Sequence, residues 1–280
     1  MRNSRLTGIF FKEAPTLLVR QLDEFFEHPK GPGSTPGDRT KKELFGAIVP
    51  FYKYEDSGPC AAWAYKEIAE SQEPDVTIIF GQSEEGSGLS LEPYQTPLGM
   101  VRVNQKLARK ILEKGNIKEN DGVFDHDDFI ESQLPFLQYV HGTDTTIKIL
   151  PVMLNSELKL KELAVDIKEA LLELGLKAHF IVPTNFTKHG ALFQYLPFSN
   201  EVNKKVYALD EEGFSHITKN DFDGYLEFVH KHSLNTDNVL GLTMIMLLKP
   251  SSYKIEQYYT TADLEGKDKN VVSFASIILD

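Results

Sequence analysis

The sequence of 280 residues has a single cysteine, fewer basic than acidic side chains and no long apolar run. Cys60 alone cannot form an intrachain disulfide, and it excludes every zinc or iron–sulfur site that needs several cysteines. The 30 basic and 41 acidic side chains give a formal charge of −11, so nucleic acid and anionic lipid surfaces would on average be repelled. No apolar run approaches the roughly 20 residues of a membrane span, and no secretion signal follows the first residues. We therefore expect a cytoplasmic protein without a membrane or nucleic-acid partner.

The composition is that of a folded protein rather than a disordered one. Hydrophobic residues make up 41% and charged residues 25% of the chain, which is ordinary for a globular domain. Because α/β folds of this length often form one continuous core, we predict a single domain over residues 1–280. Residues 29–42 combine several glycines and prolines with charges, so this segment is predicted to be a flexible, solvated loop within the domain.

Segments typical of strands alternate with segments typical of helices along the chain. Residues 45–50, 76–80, 147–154 and 179–183 are rich in isoleucine, valine and phenylalanine, a composition that favours buried strands of a parallel sheet. Helices are predicted at residues 13–27, 59–70, 104–115, 157–174, 221–232 and 239–248, and further strands at 253–261 and 270–278. The pattern predicts the α/β class and a single-domain, three-layer α/β/α sandwich with a mixed, largely parallel sheet.

The segment after the first predicted strand carries the most specific motif of the sequence. Residues 49–65 read V-P-F-Y-K-Y-E-D-S-G-P-C-A-A-W-A-Y, which resembles the MEMO family signature V-P-H-A-G-Y-x-Y-S-G-x-x-A-A-x-A-Y. In that signature the histidine sits at the mouth of a pocket, and Phe51 holds its position here. Residues 96–99, 149–152 and 272–276 resemble the family elements T-P-L-G, I-x-P-V and V-S-Y-A-[AS]. These matches extend nearly from end to end.

The chain is therefore identified as a member of the MEMO family, also called the AmmeMemoRadiSam system protein B family. The resemblance implies a fold similar to that of class III extradiol ring-cleaving dioxygenases. It also implies a His, His, Cys arrangement around a transition metal, and the matching positions here are Phe51, Glu84 and Asn235. Phenylalanine cannot coordinate a metal, and an amide oxygen binds borderline metals weakly. We therefore expect that the family metal site is lost and that no cofactor is bound.

Other family motifs line the same expected pocket. The family segment S-S-D-F-x-H-x-G resembles residues 183–190, where Asn185 and Lys188 stand in the places of an aspartate and a histidine. The family segment E-H-S-I-E resembles residues 127–131, where Asp128 holds a histidine position. General base catalysis by these residues is not expected, because Asn185 does not ionise and a lysine is cationic near neutral pH. The resemblance implies a pocket lined by Phe51, Tyr54, Glu84, Asp128, Glu131, Asn185 and Lys188.

Two further expectations concern the interior of this pocket. Phe51 and Phe129 are expected to fill part of it. Lys188 is expected to form an ion pair with Glu84 or Glu131, because a buried carboxylate needs a compensating partner.

The leading hypothesis is a protein of unknown specific function that has no catalytic residues for the family metal chemistry and acts by binding a partner. Family resemblance implies radical SAM or AMMECR-type proteins as partners. An alternative is a metal-dependent redox or dioxygenase-like enzyme in which Glu84 and neighbouring acidic residues hold a harder divalent cation such as magnesium or manganese. Acidic residues at 125–128 also fit a purely structural role before a helix start. A second alternative is a module that binds a small anion through Lys53 and Lys188.

Overall fold

The alternation of β-rich and helical segments produces one large sheet with helices packed on it. A computed structural model describes residues 1–142 and 148–280. The helices are α1 (Pro15–Glu27), α2 (Tyr54–Glu70), α3 (Gln105–Leu112), α4 (Leu134–His141), α5 (Leu160–Leu174), α6 (Val202–Ile217), α7 (Phe222–His232), α8 (Val239–Leu248) and α9 (Thr261–Glu265). None of the helices in these described ranges has the length and apolarity that a membrane span requires.

The described strands join into a single sheet of mixed direction. They are β1 (Arg2–Asn3), β2 (Gly46–Val49), β3 (Val76–Gln82), β4 (Gly88–Leu89), β5 (Tyr94–Thr96), β6 (Gly99–Val103), β7 (Lys148–Leu154), β8 (Ala178–Pro183), β9 (Lys188–Gly190), β10 (Tyr253–Thr260) and β11 (Asn270–Leu279). Their order is β1-β5-β6-β7-β3-β8-β2-β11-β10, while β4 pairs with β7 and β9 pairs with β11. The central run from β6 to β2 is parallel, whereas β11 is antiparallel to both of its neighbours β2 and β10.

Helices cover both faces of this sheet and complete three layers. On one side α2 packs on β2, β10 and β11, and α1 and α4 pack on α2. Small residues on α2, among them Ala61, Ala62 and Ala64, are buried there and allow the close approach of helix and sheet. On the other side α8 packs on β3 and β8, and it is covered in turn by α5 and α7. The predicted α/β class and the three-layer arrangement with a mixed, largely parallel sheet are confirmed.

Helix α2 begins earlier than its sequence pattern predicts. The prediction starts at Pro59, whereas the amide groups of Asp56 and Ser57 already donate to the carbonyl oxygen of Lys53, at 3.0 and 3.1 Å. Pro59 lies inside the helix, where it leaves one backbone bond unmade. Cys60 follows it and is fully buried beside Tyr259 and Phe274. Burial raises the pKa of the Cys60 thiol.

Other elements follow the predictions more closely. The predicted helix over residues 239–248 has the same bounds as α8, and Gly175 ends α5 in the left-handed conformation at φ 61°. The predictions do not include α6, β9 or the short strands β4 to β6. Of the predicted strand 147–154, residue 147 lies outside the described residues. Residues 29–42 contain no helix or strand, and the flexibility of this segment stays a prediction.

Candidate functional site

The candidate site lies where β2 and β8 end at the carboxyl edge of the sheet, the edge at which open α/β sheets usually bind ligands. Phe51 and Asn185 each follow their strand by two residues. The side chain of Asn185 joins the two strand ends, since its Oδ1 accepts from the Phe51 amide at 3.3 Å. Its Nδ2 donates to the Phe51 carbonyl oxygen at 2.5 Å. The amide group therefore pairs with the backbone of residue 51 in both directions.

A third segment reaches the site from the turn before α8. Asp237 Oδ2 accepts from Asn185 Nδ2 at 2.9 Å, and Asp237 Oδ1 forms an ion pair with the ammonium group of Lys188. The two charged side chains are only 12% and 20% exposed. Burial raises the pKa of Asp237, although Lys188 and Asn185 act in the opposite direction. Asn185 thus uses its amide oxygen and both amide hydrogens within the protein.

Asn238 fixes the position of this turn. Its side chain is fully buried and its Nδ2 donates to the carbonyl oxygens of Phe80 on β3 and Pro183 on β8, at 2.7 and 3.0 Å. Its Oδ1 accepts from the Gly241 amide at 3.0 Å and caps the start of α8. One side chain therefore links two strand ends to a helix, and this link positions Asp237 next to it.

A buried carboxylate on α6 holds the segment between β8 and β9 through a hydrogen bond. Asp210 is 2% exposed, and its two oxygens accept from Thr187 Oγ1 and the Tyr258 hydroxyl, each at 2.6 Å. Burial raises the pKa of Asp210 to about 6, while the surrounding hydroxyl donors lower it. Because Thr187 precedes Lys188 directly, this anchor determines where Lys188 can reach.

Aromatic rings occupy the side of the site where the family signature has a histidine. The rings of Phe51 and Phe129 lie 4.5 Å apart between centroids, and Phe10 follows at 6.3 Å from Phe51. Phe51 and Phe129 are both half-buried. The two rings contact each other as expected, while the filling of a pocket stays a prediction.

The structure does not bring all the predicted pocket residues into this network. Tyr54 is 3% exposed, and its ring lies in the core against Phe11 and Phe136, while its hydroxyl donates to the Ser132 carbonyl oxygen at 2.6 Å. Glu84 is exposed after β3, and no described contact joins its side chain to Asn185 or Asp237.

Glu131 and Asp128 serve the amino-terminal segment instead. Glu131 is 4% exposed and accepts from the amides of Arg5 and Leu6, at 3.0 and 2.8 Å, and from the Ser4 hydroxyl. Asp128 lies 3.9 Å from the Arg5 guanidinium group. The prediction that Lys188 forms an ion pair is confirmed, but the predicted partner, Glu84 or Glu131, is wrong. Lys188 pairs with Asp237 instead, while the carboxylate of Glu131 accepts from the backbone amides of Arg5 and Leu6.

These residues do not fit the metal that the family resemblance implies. Of the matching positions, Phe51 has no donor atom, and Asn235 Nδ2 donates to the Phe193 carbonyl oxygen at 2.8 Å. The carboxylate of Asp237, the nearby group that could hold a cation, is already paired with the ammonium group of Lys188. Within residues 1–142 and 148–280, no group of three or more histidine, cysteine, aspartate or glutamate side chains is arranged to hold a metal ion. The described residues therefore supply no ligand set for such a metal.

The fold and site define a three-layer α/β protein with an internally paired polar cluster at its strand ends. A model of the Memo-like protein family matches residues 2–278, and the chain belongs to this family. It is similar to a MEMO1 family protein of Methanopyrus kandleri, with 28% identity over 293 residues that cover 99% of this chain and 98% of the relative. It is also similar to MEMO1 family proteins of Ignicoccus hospitalis, at 28% with 99% and 98% covered, and Pyrococcus horikoshii, at 28% with 99% of each chain covered.

Two residues of the site are absent from the sequence predictions. Asp237 lies two positions after Asn235, which is one of the positions matched to the family ligands, and its charge is opposite to that of Lys188. Charge complementarity was the available signal. Asn238 precedes an almost wholly apolar helix, and an asparagine at that place is a typical helix cap. Its bonds to β3 and β8 could not be read from the sequence, because they depend on the tertiary fold.

We expect Asp237→Asn to lower the free energy of unfolding by about 1–3 kcal/mol, because it leaves the ammonium group of Lys188 without its carboxylate. Urea denaturation measures this change. The matched control is Glu24→Gln, which breaks the exposed pair of Arg20 and Glu24 on α1 and should change stability by no more than about 0.5 kcal/mol. An equal effect of the two substitutions would contradict the role assigned to Asp237.

Asp210 should make stability depend on pH. Its pKa is higher in the folded protein, about 6, than the ordinary 3.8, so the folded state binds the proton more tightly and stability is lost as pH rises between these values. The expected loss is on the order of 2–3 kcal/mol. Urea denaturation at several pH values from 4 to 7 should show a steeper fall for the wild type than for Asp210→Asn. Parallel curves for the two proteins would contradict this assignment.

Proposed function

We propose that this member of the Memo-like family acts by binding a partner protein and does not perform the metal chemistry that the family resemblance implies. The observation that carries the proposal is the internal pairing of Lys188, Asn185 and Asp237. The polar groups at the strand ends form their hydrogen bonds and their ion pair with one another. A site that binds a metal or substrate through these groups would first have to break those bonds. The proposal includes the cytoplasmic location expected from the sequence.

The alternative functions have less support. Among the acidic residues suggested for a harder cation, Glu84 is exposed, Glu131 holds the amino-terminal segment and Asp128 faces Arg5. A small anion would need the charge of Lys188, which Asp237 already neutralises, whereas Lys53 is exposed. No contact among residues 1–142 and 148–280 favours either alternative over a binding role.

Exposed leucines beside the site support a binding role. Leu192 and Leu196 are 76% and 63% exposed. Between them, the carbonyl oxygen of Phe193 accepts from Asn235, and the ring of Phe193 lies 5.9 Å from Lys188 Nζ. Large apolar side chains exposed on the surface are suited to protein contacts. We propose that this edge contacts the partner, and family resemblance suggests radical SAM or AMMECR-type proteins as the candidates.

Metal content tests the first half of the proposal. Protein purified without a tag and without chelators should contain far less than one transition metal per chain, because the positions at Phe51 and Asn235 offer no strong ligand. Plasma mass spectrometry measures the content of the wild type, of Glu84→Ala and of the control Glu211→Ala, an exposed glutamate on α6 outside the suggested ligand set. One metal per chain that disappears only in Glu84→Ala would overturn this half of the proposal and favour a metal-dependent enzyme.

Partner binding tests the second half. Radical SAM and AMMECR-type proteins from the same organism are titrated against the full chain by calorimetry. We expect saturable binding to one of them, at least tenfold weaker for Leu192→Asp or Leu196→Asp, because a charge would be buried in the contact. The control is Leu172→Asp on α5, a leucine that is 82% exposed, and it should bind like the wild type. Binding that is equally insensitive to all three substitutions would refute the assigned surface.

A further inference from the structure

A second cleft lies near the amino-terminal strand and shares no residue with the cluster of Asn185, Lys188 and Asp237. It has a volume of about 210 Å³, and its lining includes Arg2 on β1, Tyr94 on β5 and Asp127. Arg2 and Tyr94 are direct partners in the parallel pair of β1 and β5. At roughly 30 Å³ per liquid water molecule, the volume corresponds to about seven waters and suits a small organic molecule.

Each of these three residues keeps one buried polar atom without a hydrogen-bond partner in the described part of the chain. The atoms are Arg2 Nε, the Tyr94 hydroxyl oxygen and Asp127 Oδ2. Tyr94 and Asp127 are 3% and 4% exposed. The other oxygen of Asp127 accepts from the Ile130 amide at 3.0 Å. Because buried polar groups are nearly always paired, three unpaired atoms on residues that line one cleft point to a missing partner molecule, which the side chains would have to turn slightly to meet.

The rest of the Arg2 guanidinium group is already used. Its two terminal nitrogens donate to Asp125 Oδ1 at 3.2 Å and to the Asp121 carbonyl oxygen at 2.5 Å. The nearest carboxylate to Arg2 Nε belongs to Glu92 and lies 3.9 Å away, beyond hydrogen-bonding distance. Arg2 also lies over the ring of Phe124, 5.3 Å from its centroid. The guanidinium group is therefore held in place with Nε–H left to donate.

The charges around the cleft favour a cation next to Asp127. Its lining includes the four carboxyl groups of Glu92, Asp125, Asp127 and Glu131 against three positive groups, the guanidinium groups of Arg2 and Arg5 and the Met1 ammonium group, which lies 3.3 Å from Glu92. Asp127 has no ion pair among the described residues, and a buried carboxylate without a counter-ion is costly. Its pKa is raised to about 7, chiefly by burial, with a further contribution from the neighbouring Glu131. A ligand that brings a positive charge would relieve this cost, whereas a water molecule would not.

We propose that this cleft binds a small molecule in which a protonated amine lies next to an oxygen acceptor, the arrangement found in amino alcohols and amino acids. The ammonium group donates to Asp127 Oδ2 and to the Tyr94 hydroxyl oxygen. The acceptor oxygen of the ligand receives the hydrogen of Arg2 Nε. This assignment pairs all three unsatisfied atoms with one molecule and neutralises Asp127.

Calorimetric titration of the full chain with four probes tests this proposal. Ethanolamine and glycine carry both required groups, ethylamine carries the amine alone and acetate carries the carboxylate alone. We expect one saturable site for ethanolamine or glycine, and binding at least tenfold weaker for ethylamine and for acetate. Preference for ethanolamine would identify an amino alcohol site, and preference for glycine an amino acid site. The proposal would be overturned if acetate bound as tightly as ethanolamine and glycine do. It would also be overturned if neither ethanolamine nor glycine showed saturable binding.

Substitutions locate the binding in this cleft. Tyr94→Phe and Asp127→Asn should each weaken the binding of the preferred probe at least tenfold, since each substitution removes one partner of the ammonium group. Asp128→Asn is the matched control, because Asp128 is the next carboxylate in the chain but does not line the cleft. Circular dichroism and thermal melting of each variant establish that it is folded. Unchanged binding by a folded Tyr94→Phe and a folded Asp127→Asn would refute the assigned site.

Discussion

The side-chain amide of Asn185 is the interaction on which the geometry of the candidate site depends. It closes two bonds with the backbone of Phe51 and one with the carboxylate of Asp237, so the ends of β2 and β8 and the turn before α8 meet at one side chain. An aspartate at this place could accept bonds but could not donate to either oxygen. The choice of an amide therefore determines that Asp237 turns inward, and the inward carboxylate in turn determines where the ammonium group of Lys188 rests.

The cluster is neutral overall and satisfied internally. A metal bound by protein ligands can keep an open position for a substrate, whereas an ammonium group paired with a carboxylate has no such position. The Phe51–Phe129 contact adds apolar surface where the family signature has a ligand. Together these features occupy the strand ends with an internal ion pair and an apolar contact. Membership of the Memo-like family thus fixes the fold of this chain more firmly than its activity.

Much of the fold followed from local patterns, because buried parallel strands and amphipathic helices have sequence signals of their own. The spacing of Val206, Leu209 and Ile217 contains such a signal for α6, although the prediction did not include that helix. The start of α2 was missed for another reason, since the first bonds are made to the Lys53 carbonyl oxygen and a proline inside the helix resembles a start signal.

The site was less predictable than the fold. Family motifs brought Phe51, Asn185 and Lys188 to attention, and the structure joins these residues. The partner of Lys188 could not be inferred in the same way. The carboxylate of Glu131 accepts hydrogen bonds from the amides of Arg5 and Leu6, which are 126 and 125 residues away in sequence. Which carboxylate remains available is decided by contacts that form only in the folded chain.

The burial of Cys60 has a practical consequence for work on this protein. Its thiol is inside α2, fully covered, and its raised pKa disfavours the reactive thiolate. Because it is the only cysteine in the sequence, a cysteine introduced on the surface would be the single site open to maleimide dyes or spin labels in the folded state. Distances across the molecule can therefore be measured by spectroscopy on the otherwise native sequence, with no need to remove a background thiol first.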